Sequence, residues 1–97
     1  MFTLHWTEES EKAFLALEKD PGKKPVLKSV AKALSYLQQN PRHPGLKTHK
    51  YGALIGMNGE EVFEAYAQNN TPGAYRVFWF YGPGKKEITI IAITSHP

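Results

Sequence analysis

The sequence predicts an α+β fold: an N-terminal strand, two helices, then an antiparallel sheet of about four strands with the helices packed on one face. Three observations lead there. Apolar residues recur three and four apart between residues 13 and 37, which is the helical period. From residue 51 onward, aromatic and β-branched residues form runs broken by Gly, Pro and Asn, the composition of strands and turns. Helices therefore precede a block of strands instead of alternating with them, which indicates a helical layer on an antiparallel sheet. Ninety-seven residues are enough for one modest core. Residues 1–97 are read as a single domain without repeat or linker.

The elements follow in order. Phe2, Leu4 and Trp6 alternate as a strand does. Thr7 is placed to cap a helix whose first turn holds Glu8, Glu9 and Glu11, where acids favour the positive helix end. Ala13, Phe14 and Leu17 form its apolar stripe, and Asp20-Pro21-Gly22 ends it. Pro25 suits the first position of a second helix, with Leu27, Val30, Ala31, Leu34 and Leu37 as its apolar face. Lys24, Lys28 and Lys32 line another face at steps of four, and Asn40-Pro41 stops the helix.

Residues 41–50 have loop composition. Residues 51–55 and 61–68 flank Gly56-Met57-Asn58-Gly59, and Asn-Gly is a hairpin signal. Residues 74–81 and 87–94 are the last two strands, joined by Gly82-Pro83-Gly84-Lys85-Lys86. In residues 74–81 the alternation sets Tyr75, Val77, Trp79 and Tyr81 on one face, Arg76, Phe78 and Phe80 on the other. With helices on one face only, the second face is partly open.

Composition and charge narrow the function. The chain has no cysteine, which excludes disulfides, thiolate nucleophiles and Cys-bound zinc. No apolar run approaches the roughly 18 residues of a membrane span, and no leader pattern opens the chain, so a cytoplasmic protein is expected. The formal charge of +3 is unevenly spread. Residues 1–20 carry a net −3 and residues 60–97 a net −1, whereas residues 21–59 carry seven cations, no acid and a net +7. Such a segment reads as a phosphate-binding footprint or, alternatively, as a solvated helix face. Its candidate phosphate contacts are Lys24, Lys28, Lys32, Arg42, His49 and Lys50, which the resemblance given below would make RNA contacts.

Arg76 is the only arginine in a predicted strand. In an aromatic central strand it needs an anion or a carboxylate, so it meets either a ligand phosphate or Glu64 of a neighbouring strand. The four histidines, His5, His43, His49 and His96, lack metal-ligand spacing, and no metal site or cofactor is expected. His49 lies between Lys47 and Lys50, where an imidazole serves acid–base chemistry or is a plain loop residue. Tyr66 and Tyr75 are read as packing residues or as platforms for bases.

Asn40-Pro41-Arg42-His43-Pro44-Gly45-Leu46-Lys47, Tyr75-Arg76-Val77-Phe78-Trp79 and the final Ile/Thr strand resemble, in order and spacing, the RelE/ParE superfamily of toxin–antitoxin toxins. The resemblance covers nearly the whole chain. It implies a small endoribonuclease that enters the ribosomal A site and cuts messenger RNA, and a cognate antitoxin that wraps it. In that chemistry the 2′-hydroxyl attacks the adjacent phosphate and the 5′-oxygen leaves, which needs a proton acceptor, a proton donor and cations on the phosphorane. By the resemblance, Arg76 matches the strand arginine that stabilises the phosphorane, and Lys47 the loop residue that grips phosphate. His96 matches the terminal histidine that the YoeB branch uses as general acid.

Two differences from the family stand out. The YoeB branch has a carboxylate just before its loop lysine, whereas His43-Pro44-Gly45-Leu46 has none. RelE itself uses strand lysines and arginines, which Val62-Phe63-Glu64-Ala65-Tyr66-Ala67 lacks. Glu64 is therefore read, from the residues alone, as the proton acceptor. Two alternatives remain: a non-catalytic interaction module of the same fold, and a gyrase inhibitor of the ParE kind. The oligomeric state stays open.

Overall fold

In a computed structural model describing residues 1–95, the chain runs β1 (Thr3–Trp6), α1 (Glu8–Lys19), α2 (Lys24–Gln39), β2 (His49–Ile55), β3 (Glu61–Tyr66), β4 (Tyr75–Tyr81) and β5 (Glu87–Ser95). The five strands form one sheet in the order β1-β5-β4-β3-β2. Among them the β1–β5 pair is parallel; the others are antiparallel. This is the expected strand, helix pair and four-strand meander, with β1 returning to the edge beside β5.

Thr7 caps α1 as its position predicts: its hydroxyl accepts from the Ser10 amide at 3.1 Å, while the Ser10 hydroxyl accepts from the Thr7 amide. Ser10 is fully buried, and its hydroxyl also donates to the Ile90 carbonyl at 2.7 Å. The cap therefore pins the helix to β5. Asp20 ends α1 and accepts from the Gly22 amide at 2.9 Å, opening a single 3₁₀ turn into α2.

The core lies between the helices and one sheet face. Leu17, Val30, Ala33, Leu34 and Leu37 meet Ala65, Val77, Trp79, Ile88, Ile90 and Ile93, with Leu46 closing the end. The buried stripe of α2 includes Ala33, while Ala31 is exposed, a correction to the expected face. Val30 and Leu37 lie at its centre, and Ala33 falls three after one and four before the other.

The second sheet face is more enclosed than alternation implies. Phe78 and Phe80 are 6% and 3% exposed, and the Tyr51 ring of β2 tilts over Phe78 at 4.8 Å. The β2–β3 register is irregular between Lys50 and Ile55, as at a β-bulge, which bends a strand. The result is a trough of about 430 Å³ bounded by Tyr51, Leu54, Glu64, Arg76, Phe78 and Thr94. The Asn58-Gly59 pair lies in a longer loop, closed by the Gly56 amide to the Glu60 carbonyl at 2.9 Å.

Candidate functional site

Register brings four strand residues together. Glu64 on β3 pairs with His49 on β2, and Tyr66 pairs with Arg76 on β4, so all four side chains share the trough face. His49 Nε2 lies 2.6 Å from Glu64 Oε1. Arg76 Nε lies 3.7 Å from Glu64 Oε2, with both side chains nearly buried. The Arg76 guanidinium stacks 3.7 Å above the Tyr66 ring, and the His49 ring meets the same ring edge-on at 5.6 Å. Glu64 is thus the centre of a His–Glu–Arg chain with Tyr66 behind it.

The roles these groups can play differ. Arg76 Nη1 donates to the Gln68 carbonyl at 3.1 Å and to the carbonyls of Ala74 and Tyr75 at 3.4 Å. Its Nε is buried without a hydrogen-bond partner among the described residues. Arg76 therefore meets Glu64, the carboxylate alternative read from the sequence, and presents charge to the trough more than a free donor fork. His49 is the accessible member, its side chain 47% exposed against 7% for Glu64. Its Nδ1 lies 3.2 Å from the Lys47 carbonyl. Both ring nitrogens thus face oxygen atoms, the Glu64 carboxylate and the Lys47 carbonyl.

The loop that delivers His49 is held from several sides. The His43 ring stacks on Tyr36 of α2 at 3.8 Å, and its Nδ1 accepts from the Gly45 amide at 2.9 Å. A 3₁₀ turn over Pro44–Leu46 buries Leu46. Lys47 then takes a left-handed conformation, φ 48° and ψ 40°, turning the chain into β2.

The other candidates are dispersed. Arg42, Lys47 and Lys50 line a second cleft, on the helix side of the sheet with Phe63, Trp79 and Tyr81, and not the trough that holds Arg76 and Glu64. Lys50 also lies 3.5 Å from Glu61. Lys24 and Lys28 are exposed on α2. Lys32 lies 5.6 Å over Tyr36 and shares a recess with Tyr66. His96 lies outside the described residues. Among the described residues, no three His, Asp or Glu side chains converge as metal donors. Sequence reasoning selects His49 and Glu64 separately and misses that they pair; it reads Tyr66 as packing or platform, and misses its position beneath Arg76.

No protein-family model and no curated protein matches the chain. Solved structures do. The YoeB/ParE toxin from Agrobacterium tumefaciens superposes with a TM-score of 0.71 at 11% identity, covering 99% of this chain and 100% of that one. RelE of the archaeal RelE–RelB complex from Pyrococcus horikoshii gives 0.63 at 19% identity, covering 97% and 93%. The E. coli RelBE toxin–antitoxin complex gives 0.63 at 18% identity, covering 100% and 99%. No helix among the described residues is long and apolar enough to cross a membrane. At these identities the likeness is one of architecture, and it agrees with the element order and the segments that resemble the family: the chain has the fold of the RelE/ParE toxin superfamily.

Proposed function

We propose that this protein is the toxin of a cytoplasmic toxin–antitoxin pair and cuts messenger RNA in the ribosomal A site, with His49 as its proton-transferring group. The observation that carries the reading is the 2.6 Å bond between the half-exposed imidazole and a buried carboxylate. A buried carboxylate that fixes a histidine's orientation is the arrangement general acid–base catalysis uses. Glu64 then acts as a positioning residue and proton reservoir for His49. Arg76 supplies positive charge to the trough, and Lys47 to the neighbouring cleft.

In the reaction the 2′-oxygen bonds to phosphorus as its proton passes to the His49–Glu64 pair. The bond from phosphorus to the 5′-oxygen breaks, and that oxygen receives a proton. His49 Nδ1, with its longer contact to the Lys47 carbonyl, exchanges that partner for the substrate. His96 remains the sequence-based candidate for the second proton transfer. The antitoxin proposal rests on the toxin resemblance and on the RelE–RelB complexes among the fold neighbours.

Induction in a bacterial host, with messenger ends mapped, tests this. Arrest with cleaved messenger is expected, and His49→Ala is expected to lower the cleavage rate by about 10²-fold or more, the range of a missing acid–base group. Arrest with DNA breaks and intact messenger would instead identify a gyrase inhibitor. The internal engagement of Arg76 favours one second reading, a non-catalytic interaction module; absence of arrest from the intact protein supports it.

A further inference from the structure

The helix-side cleft lies beside the trough, and of the groups in the proposed chemistry only His49 and Lys47 border it. It holds about 430 Å³ between residues 41–50 and the aromatic end of β3 and β4. Its floor is a cluster of rings: Phe63 stacks on Trp79 at 5.0 Å and 25°, and Tyr81 meets both edge-on, at 5.6 and 4.8 Å. Tyr81 is 42% exposed, so this face is open to a partner. Arg42, Lys47 and Lys50 stand around it, and its lining contains no carboxylate. Of the three cations only Lys50 has an ion pair among the described residues.

A second observation points to a ligand. Trp79, fully buried, also lines the cleft, and its indole Nε1 has no hydrogen-bond partner among the described residues. Buried indole N–H groups ordinarily find one. An aromatic floor, unpaired cations and an orphaned donor call for a flat, anionic, acceptor-bearing occupant. Unpaired nucleotides combine these properties, because each base offers a π-face and each linkage a phosphate.

We propose that this cleft is a nucleotide subsite for single-stranded RNA, in which a base stacks on the exposed Tyr81 ring beside Phe63 while Arg42 and Lys47 hold the flanking phosphates. His49 joins the two sites: it lines the cleft, and its ring is bound to Glu64 in the trough. A strand passing over the β2 edge at His49 places one nucleotide in the cleft as its neighbour meets the trough. This subsite rests on the reading that the protein acts on RNA, but not on cleavage.

The test is binding of a short single-stranded 2′-O-methyl RNA, which lacks the attacking hydroxyl, by the whole protein. Tryptophan fluorescence, measured in a Trp6→Phe background so that Trp79 alone reports, and a salt titration are the readouts. Tyr81→Ala is expected to weaken binding by about tenfold to a hundredfold while leaving the salt slope unchanged. Arg42→Ala with Lys47→Ala is expected to lower that slope by about 0.7 for each cation removed. All three substitutions are at exposed positions, and circular dichroism verifies the fold of each variant. Unchanged affinity in both cleft variants, with binding abolished in Arg76→Lys, would place the RNA in the trough alone and overturn the subsite. So would preference for an acidic peptide over the RNA. Binding in the cleft by a protein that cleaves no messenger would instead overturn the proposed function and leave the subsite standing.

Discussion

At the scale of single residues, Glu64 bears the most. Its carboxylate, 5% exposed, is flanked by His49 at 2.6 Å and Arg76 at 3.7 Å. Removing it leaves the Arg76 charge buried with only carbonyl partners, and breaking a buried pair costs more than its net attraction. Glu64→Ala is therefore expected to destabilise the fold by about 2–4 kcal/mol. Thermal unfolding reads this as a fall of roughly 4–8 °C per kcal/mol for a domain of this size. Lys50→Ala, which breaks an exposed pair with Glu61, is expected to change stability by less than about 0.5 kcal/mol. A similar effect in both variants would mean that burial does not set the worth of these pairs. Sequence alone narrows Arg76 to two partners, a phosphate or Glu64. It cannot show that Tyr66 lies beneath the guanidinium, because that contact depends on cross-strand register.

Among the elements, α1 is tied to β5 by the polar groups of its cap as well as by the packing of Leu17. Ser10 completes the helix cap and donates to β5 at the Ile90 carbonyl. Ser10→Ala removes the reciprocal cap bond and the hydroxyl bond across to the sheet, leaving the Ile90 carbonyl with the Thr7 amide as its donor. The expected cost is about 1–3 kcal/mol, read as a lower urea midpoint with unchanged m-value. An unchanged midpoint would show that packing alone seats the helix. The helices are legible in the sequence because their caps, prolines and three-four spacing are local. The His49–Glu64 pair is not, for a reason of register. Ile55 faces Glu61 near the hairpin tip, and continuing that pairing regularly would set Gly52 opposite Glu64 and Lys50 opposite Tyr66. The irregularity within β2 moves the register by an odd step, so that His49 meets Glu64 and Lys50 meets Phe63. An odd step exchanges faces, bringing a histidine instead of a lysine to the trough. Nothing in the local residue pattern announces such a shift.

Across the whole molecule, the charge division along the chain becomes a division in space. The acids of residues 8–20 ride on α1, which packs against β5, while α2 contacts β4 and the 41–50 loop contacts β3. Since β5 and β3 lie on opposite sides of β4, the acidic helix and the cationic loop occupy opposite sides of a body measuring 36 × 27 × 25 Å. A charge asymmetry on this scale orients a protein as it approaches a polyanion and speeds encounter. It does nothing for a bond-breaking step at His49. Lys24 and Lys28, exposed on α2, line neither the trough nor the helix-side cleft, so they separate the two effects. Replacing both with Gln is expected to raise KM for ribosome-bound messenger and to lower the salt slope by about 0.7–0.9 for each phosphate no longer neutralised, with kcat unchanged. Steady-state kinetics at several salt concentrations measures this. Equal KM and slope in the variant would show that these lysines form only a solvated helix face. A fall in kcat with KM unchanged would place the helix in the chemistry, contrary to the separation of its lysines from both clefts.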